Sequence, residues 1–139
     1  MAVERSLILI KPDAVERKLV GEILARIERR SFTLRAGKLI HVDRKLGETH
    51  YAEHREKPFF AELVEFITSG PTLALVVEGE GAIATLRKTI GATNPADAEP
   101  GSIRGDLASS MPDNLVHGSD SPESAAREVA LWFSDDELV

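Results

Sequence analysis

Cysteine is absent from the 139 residues, which excludes disulfides, thiolate metal sites and cysteine nucleophiles. Long apolar runs are absent too. Leu7-Ile8-Leu9-Ile10 is too short for a secretion leader and is stopped by Lys11-Pro12-Asp13. No run approaches the length that spans a bilayer, so a cytoplasmic protein with no membrane partner is the expectation. An excess of positive charge is also missing. The net charge of −6 argues against a broad nucleic-acid surface, and no nucleic-acid partner is expected; a small cationic pocket is still compatible with it. Tandem strand–helix glycine fingerprints are not found. What is there is 42% apolar and 29% charged, the balance of a globular chain, and the length fits one domain over residues 1–139.

The periodicity predicts strands interleaved with helices. Ser6 to Lys11 reads as a buried strand stopped by Pro12. Val20, Ile23, Leu24 and Ile27 recur at helical spacing. Thr33 to Asp43 reads as a second strand, with a bulge suggested at Gly37. A short helix around Leu46 to His54 reads as an insertion. Phe60, Leu63, Val64 and Ile67 mark a helix closed by Gly70-Pro71. Thr72 to Glu78 is a third strand, Gly81 to Ile90 a helix, Val116 to His117 the border of a short fourth strand, and Ser121 to Phe133 the last helix. The order β-α-β-β-α-β is the ferredoxin-like pattern: an α+β fold with a four-stranded antiparallel sheet covered by helices. That architecture hosts many chemistries, so function must come from particular residues.

The most informative of these are Asn114-Leu115-Val116-His117-Gly118-Ser119-Asp120-Ser121. One histidine stands beside a glycine and a run of small polar side chains. An imidazole can attack phosphorus, hold the phosphoryl group and release it. Gly118 is expected to leave room for a bulky substrate, and Pro122 suits the first position of a helix. Taken alone, a loop histidine is more often an ordinary surface residue. Upstream, residues 91–115 carry Pro95, Pro100 and Pro112 and show no sustained periodicity, so they read as a long loop. It is either a floppy insertion or a device that sets Thr93 and Arg104 opposite His117. Downstream, Glu128 borders the Ala125–Val129–Trp132 stripe, where a carboxylate is costly without a partner. Either it holds one nitrogen of His117 or it reaches water or a cation.

Other side chains admit two readings each. Lys11 ends a strand, projecting into a site or into solvent. Arg87 lies at the edge of its helix's apolar arc, as a site cation or an exposed ion-pair residue. Phe60 falls on the core face of its helix, whereas Phe59 lies about 100° away and is open to a ligand. Tyr51 is a phosphate donor or an apolar cover. His50 and His54 have an i,i+4 spacing, but with no third ligand they make a weak metal site. His41, on a strand, is structural or exposed.

In chain order, these residues resemble the nucleoside diphosphate kinases from Glu4 to about Phe133. Ile10-Lys11-Pro12-Asp13 is similar to the family's strand-end lysine motif. Tyr51 and Lys57-Pro58-Phe59-Phe60 resemble its nucleotide-flanking helices. Arg87 with Gly91-Ala92-Thr93-Asn94-Pro95-Ala96-Asp97, then Pro100-Gly101-Ser102-Ile103-Arg104-Gly105-Asp106, resemble its phosphate-contact stretch. The histidine signature and Glu128 complete the series. Any one match is weak; the ordered set is specific.

The resemblance implies a ping-pong transfer of a γ-phosphoryl group from a nucleoside triphosphate through His117 to a diphosphate. It implies Glu128 as the orienting carboxylate with Ser119 as its neighbour. Lys11, Tyr51, Arg87, Thr93 and Arg104 are implied at the phosphates, and Asn114 with Lys11 at the ribose. Phe59 is implied as a stacking face that accepts any base, and Mg²⁺ arrives with the nucleotide. Asp120 is implied at most as a contact to its water shell, with no direct protein ligand. A homo-oligomer is implied, a hexamer before a tetramer. Two features of the chain point the same way: a loop too long to brace itself, and Leu131 outside the last helix's apolar stripe. Ala14, Lys18 and Met111-Pro112 depart from the family's usual residues. The acidic end Ser134 to Val139 is shorter than the extension of some relatives, which bears on assembly.

Overall fold

A computed structural model describes residues 2–139. Its frame is a four-stranded sheet of β1 (Val3–Ile10), β2 (Thr33–His41), β3 (Pro71–Glu80) and β4 (Val116–Gly118). The strands lie in the order β2-β3-β1-β4, and each neighbouring pair is antiparallel. The four-stranded antiparallel sheet is the one expected from the sequence. Strand β1 is central, and its run Leu7-Ile8-Leu9-Ile10 is fully buried. Side chains alternate across a strand, so the run feeds two cores.

Among the described residues, seven helices cover the sheet: α1 (Pro12–Glu16), α2 (Val20–Glu28), α3 (Arg44–His50), α4 (Phe60–Ile67), α5 (Ala82–Ile90), α6 (Ile103–Leu107) and α7 (Pro122–Trp132). Ile8 and Ile10 pack with Ile23 and Ile27 of α2 and with Leu86 and Ile90 of α5. Leu7 and Leu9 pack with Ile67 of α4 and with Trp132 and Phe133 at the end of α7. Each such aliphatic side chain contributes about 1.5–3 kcal/mol on burial. The helix starts follow from local chemistry. The side chains of Asp43, Ser102 and Ser121 accept the backbone N–H groups of Leu46, Gly105 and Ser124, and Pro122 occupies the first turn of α7.

Several boundaries differ from those read in the sequence. Strand β1 begins at Val3, and Lys11 caps α1, a helix hidden by its five-residue length. The bulge in β2 lies between Leu34 and Ala36, not at Gly37. Gly37 pairs in register, and a Cβ there would meet Leu75 Cδ2 at 3.2 Å. Helix α3 ends at His50, followed by a 3₁₀ turn over Ala52–His54. Lys18 has φ 61° and so occupies the left-handed region.

The 91–115 segment is not structureless. It holds a 3₁₀ turn at Pro95–Asp97 and helix α6, both too short to show a period. It is also braced from within the chain. Arg26 donates to Asp106 Oδ2 at 2.7 Å, and Arg17 to the Leu107 carbonyl at 2.8 Å. Leu131, expected to be left over, is half-buried against the α7 side of the sheet. Neither feature requires a neighbouring subunit.

Candidate active site

His117 is the middle residue of β4, opposite Leu9 of β1. Strand alternation separates it from Gly118, and this overturns the role expected for that glycine. A Cβ on Gly118 would meet Ile90 Cδ1 at 2.7 Å, so its missing side chain makes room for the core and not for a substrate.

The His117 Nε2 lies 2.9 Å from Glu128 Oε1. The Ser119 hydroxyl donates to that same oxygen at 2.7 Å and accepts the Leu7 N–H at 3.0 Å. Glu128 is 4% exposed. Burial opposes its charge, but the hydrogen bond and charge of His117 and the bond from Ser119 outweigh it and hold its pKa at about 2. The carboxylate is therefore ionised and accepts only. The proton between them is therefore on Nε2, an arrangement that in the neutral ring leaves Nδ1 bare.

The imidazole lies in a cleft of about 370 Å³. Lys11, Arg87 and Arg104 bring cations to it, and Tyr51, His54 and Phe59 line it from the segment joining α3 to α4. Thr93, Asn114 and Asp120 also line it, so the residues implied at the phosphates, ribose and base all reach this cleft, and Ser119 supports it through Glu128. Lys11 is buried and its Nζ donates to Asn114 Oδ1, with the Pro112 carbonyl at 3.5 Å. Asn114 Nδ2 donates to the Thr93 carbonyl at 2.9 Å. Arg87 donates to the Gly118 carbonyl at 3.1 Å, so it is not an exposed ion-pair residue. Phe59 is 43% exposed, near His54 and Lys57.

Arg104 has the most constrained position. Its guanidinium donates to the carbonyls of Asn114 (3.1 Å), Gly91 (3.0 Å) and Val116 (2.5 Å). It joins both ends of the long segment to the strand that carries His117. A guanidinium has five N–H donors, so two remain for a ligand.

Burial lowers the Lys11 pKa to about 8; Asp13 opposes this and Arg104 reinforces it. Below that value the ammonium is charged, and its attraction for an anionic ligand is lost as pH rises through it. For a reaction in this cleft, kcat/KM is expected to fall on the alkaline side with a midpoint near 8. Lys11→Gln should lower kcat/KM and remove that limb. An unchanged limb in the variant would assign it to another group.

His50 has a place that its sequence spacing does not reveal. It does not share a helical face with His54, because α3 ends between them. It is buried, and with His117 and Glu128 forms a group whose ligating atoms lie within 4.8 Å of one another. The available signal was its place on the inner side of α3 with Leu46 and Gly47. This donor set does not fit Mg²⁺, which takes oxygen ligands. His41 is exposed, with Nε2 3.1 Å from the Thr68 carbonyl.

An imidazole held by a buried carboxylate, at the wall of a cleft lined by three cations and an open aromatic face, has the charge and shape to take a phosphorylated ligand that carries an aromatic ring. The model of the family described as nucleoside diphosphate kinase matches residues 4–138. The nucleoside diphosphate kinase of Rubrobacter xylanophilus is 64% identical over 130 residues, covering 94% of this chain and 98% of that one. That of Archaeoglobus fulgidus is 55% identical over 136 residues, covering 98% and 90%. Among solved structures, the Halobacterium salinarum enzyme in complex with CDP matches with a TM-score of 0.96 at 47% identity, covering 99% of this chain and 92% of that one. The Aquifex aeolicus enzyme matches with a TM-score of 0.97 at 45% identity, covering 99% and 100%. The chain belongs to the nucleoside diphosphate kinase family, enzymes that exchange a phosphoryl group between nucleoside triphosphates and diphosphates. No helix among the described residues is long and apolar enough to cross a membrane.

Proposed function

We propose that this kinase works in two half-reactions through a phosphohistidine on His117, within a single catalytic domain over residues 1–139. The bare Nδ1 attacks the γ-phosphorus of a nucleoside triphosphate. The bond from that phosphorus to the bridging oxygen breaks, and the diphosphate leaves with the electron pair. A terminal oxygen of a second diphosphate then attacks the phosphohistidine and returns Nδ1 to its bare state. The observation that carries this reading is the His117–Glu128–Ser119 arrangement at the wall of a cationic cleft. As the imidazole becomes cationic, its Nε2 proton stays on the Glu128 side. Phosphoryl transfer depends mostly on positioning and charge stabilisation, and Lys11, Arg87 and Arg104 supply the charge. Tyr51 and Thr93 hold phosphate oxygens, and Asn114 and Lys11 hold the ribose hydroxyls. Initial rates test the scheme. Parallel double-reciprocal lines for ATP at several fixed diphosphate concentrations are expected; intersecting lines would rule out the covalent intermediate.

Mg²⁺ enters with the nucleotide. When bound, it neutralises charge on adjacent phosphate oxygens. The exposed Asp120 carboxylate at the cleft suits a contact to the ion's water shell, and the reading places the kinase in the cytoplasm beside the nucleotide pool. Phe59 stacks on the base without reading its edge, so base specificity is broad. Phe59→Ala is expected to raise KM for every nucleotide by a similar factor, since a stacking contact is worth about 1–3 kcal/mol. A change of base preference at unaltered affinity would contradict the stacking role.

The protein is proposed to assemble as a closed homo-oligomer, a hexamer before a tetramer. The support is β2, an edge strand that exposes Leu34 and Leu39. Such an edge is an open template for pairing unless covered. Light scattering at micromolar concentration should give a multiple of the 15.2 kDa chain mass. A monomeric mass with full activity would overturn the assembly.

A further inference from the structure

His50 lies beside the reacting imidazole, yet the transfer as described gives it no task. It is 3% exposed at the end of α3. Its Nδ1 accepts the indole N–H of Trp132 at 3.0 Å. An indole N–H only donates, so Nδ1 is bare and the proton of the neutral ring is on Nε2. Trp132 lies one turn after Glu128 on α7. One helix therefore supplies both the carboxylate that holds His117 and the donor that holds His50.

The His50 ring stands edge-on to three others. Its centroid is 4.9 Å from that of His117 at 80°, 4.8 Å from Tyr51 at 79°, and 5.4 Å from Trp132 at 87°. His117 is thus bounded by the Glu128 carboxylate at Nε2 and by a rigid flat ring alongside. Histidine is an expensive choice for mere filling, because a buried ring carries a donor and an acceptor that each need a partner. Trp132 satisfies the acceptor. Among the described residues the Nε2–H has no protein acceptor, and His50 borders the cleft. Burial and then the neighbouring His117 push its pKa down to about 3; Glu128 opposes this, and Arg127 and Lys11 reinforce it. The ring stays neutral and adds no second positive charge beside the imidazole that takes up the phosphoryl group.

The imidazole needs such a wall. Rotation of a histidine about its Cβ–Cγ bond is broad and intrinsically weakly restrained. Half a turn would exchange Nε2 with Cε1 and Nδ1 with Cδ2, taking the N–H off Glu128 and turning a carbon toward the cleft in place of the reactive nitrogen. We propose that His50 is a positioning residue for the phosphoryl transfer: locked by Trp132 as a neutral Nε2–H ring, it bounds the His117 imidazole and keeps Nε2 on Glu128 and Nδ1 free to react. This rests on the phosphohistidine reading above.

The test combines ¹⁵N NMR of the imidazoles, single-turnover labelling from γ-labelled ATP, and KM for ATP. In the wild type, both His50 and His117 should show a protonated Nε2 and a bare Nδ1. His50→Ala should mix the His117 tautomers and slow labelling about 10–100-fold, the cost of a misplaced reacting group. KM should stay within about twofold, because His50 is not assigned a substrate contact. The double variant His50→Phe with Trp132→Phe restores a flat ring without orphaning the indole N–H, and replacing both partners by apolar groups of similar shape is close to neutral. It should recover a single His117 tautomer and most of the labelling rate.

A purely structural role would lower the melting temperature of His50→Ala and leave the His117 tautomer and rate alone; that result overturns the proposal. So does a raised KM at unchanged rate, which would place His50 on the substrate. Should His50→Ala fail to fold, the double variant decides, and mixed tautomers with slow labelling in it would refute the wall. Absence of label on wild-type His117 would instead sink the phosphohistidine reading, an outcome the tautomer signals distinguish.

Discussion

Replacing His117 with alanine is expected to abolish turnover and the covalent phosphoprotein together. The cleft would keep Lys11, Arg87 and Arg104, so nucleotide should still bind. Alanine leaves no nitrogen to accept the phosphoryl group, and Ser119, the nearby hydroxyl, is buried with its proton committed to Glu128. Loss of a nucleophile in other covalent mechanisms costs about 10⁴–10⁶-fold. Measurement of turnover and of acid-labile label in the same preparation separates this from unfolding, because nucleotide affinity reports an intact cleft. Turnover within tenfold of wild type would refute the covalent route.

The second large effect is expected at Glu128. Its single oxygen Oε1 receives His117 and Ser119. A glutamine amide oxygen can accept both bonds, so Glu128→Gln keeps the shape and removes the charge. That charge stabilises the imidazole as it becomes cationic in the first half-reaction. The expected loss in the transfer rate is about 10–1,000-fold, typical of a preorganised electrostatic group, with a smaller effect on nucleotide binding. The sign of the pH dependence also follows. A carboxyl whose folded-state pKa is depressed contributes at pH above its unfolded value and loses that contribution as pH falls toward about 2. Glu128 therefore stays ionised across the neutral range, and the neutral-range pH profile should keep its shape in the variant while its height falls. Equal rates for the two proteins would make Glu128 a structural residue.

Much of this was legible in the chain because strong local signals lay in order. Leu7-Ile8-Leu9-Ile10 marks a buried strand, Ser121-Pro122 marks a helix start, and the run from Asn114 to Ser121 marks the chemistry. The pairing of Glu128 with His117 was one of two open readings, since an acidic residue beside an apolar stripe does not name its partner. Gly118 was misread because the strand at 116–118 is three residues long, too short to reveal which face each side chain takes. Helices α1 and α6 escaped notice for the same reason, at five residues each. His50 was hidden differently. Its importance comes from Trp132, 82 positions away, and no local pattern carries that contact.

The central claim is that the phosphoryl group rests on His117 between two independent substrates. The most direct measurement is to incubate the protein with γ-labelled ATP and Mg²⁺, remove all free nucleotide, and add unlabelled CDP. A stoichiometric label on His117 that moves quantitatively into CTP is expected. A protein that carries no label after the first step, yet exchanges phosphoryl groups when both nucleotides are present together, would contradict the mechanism.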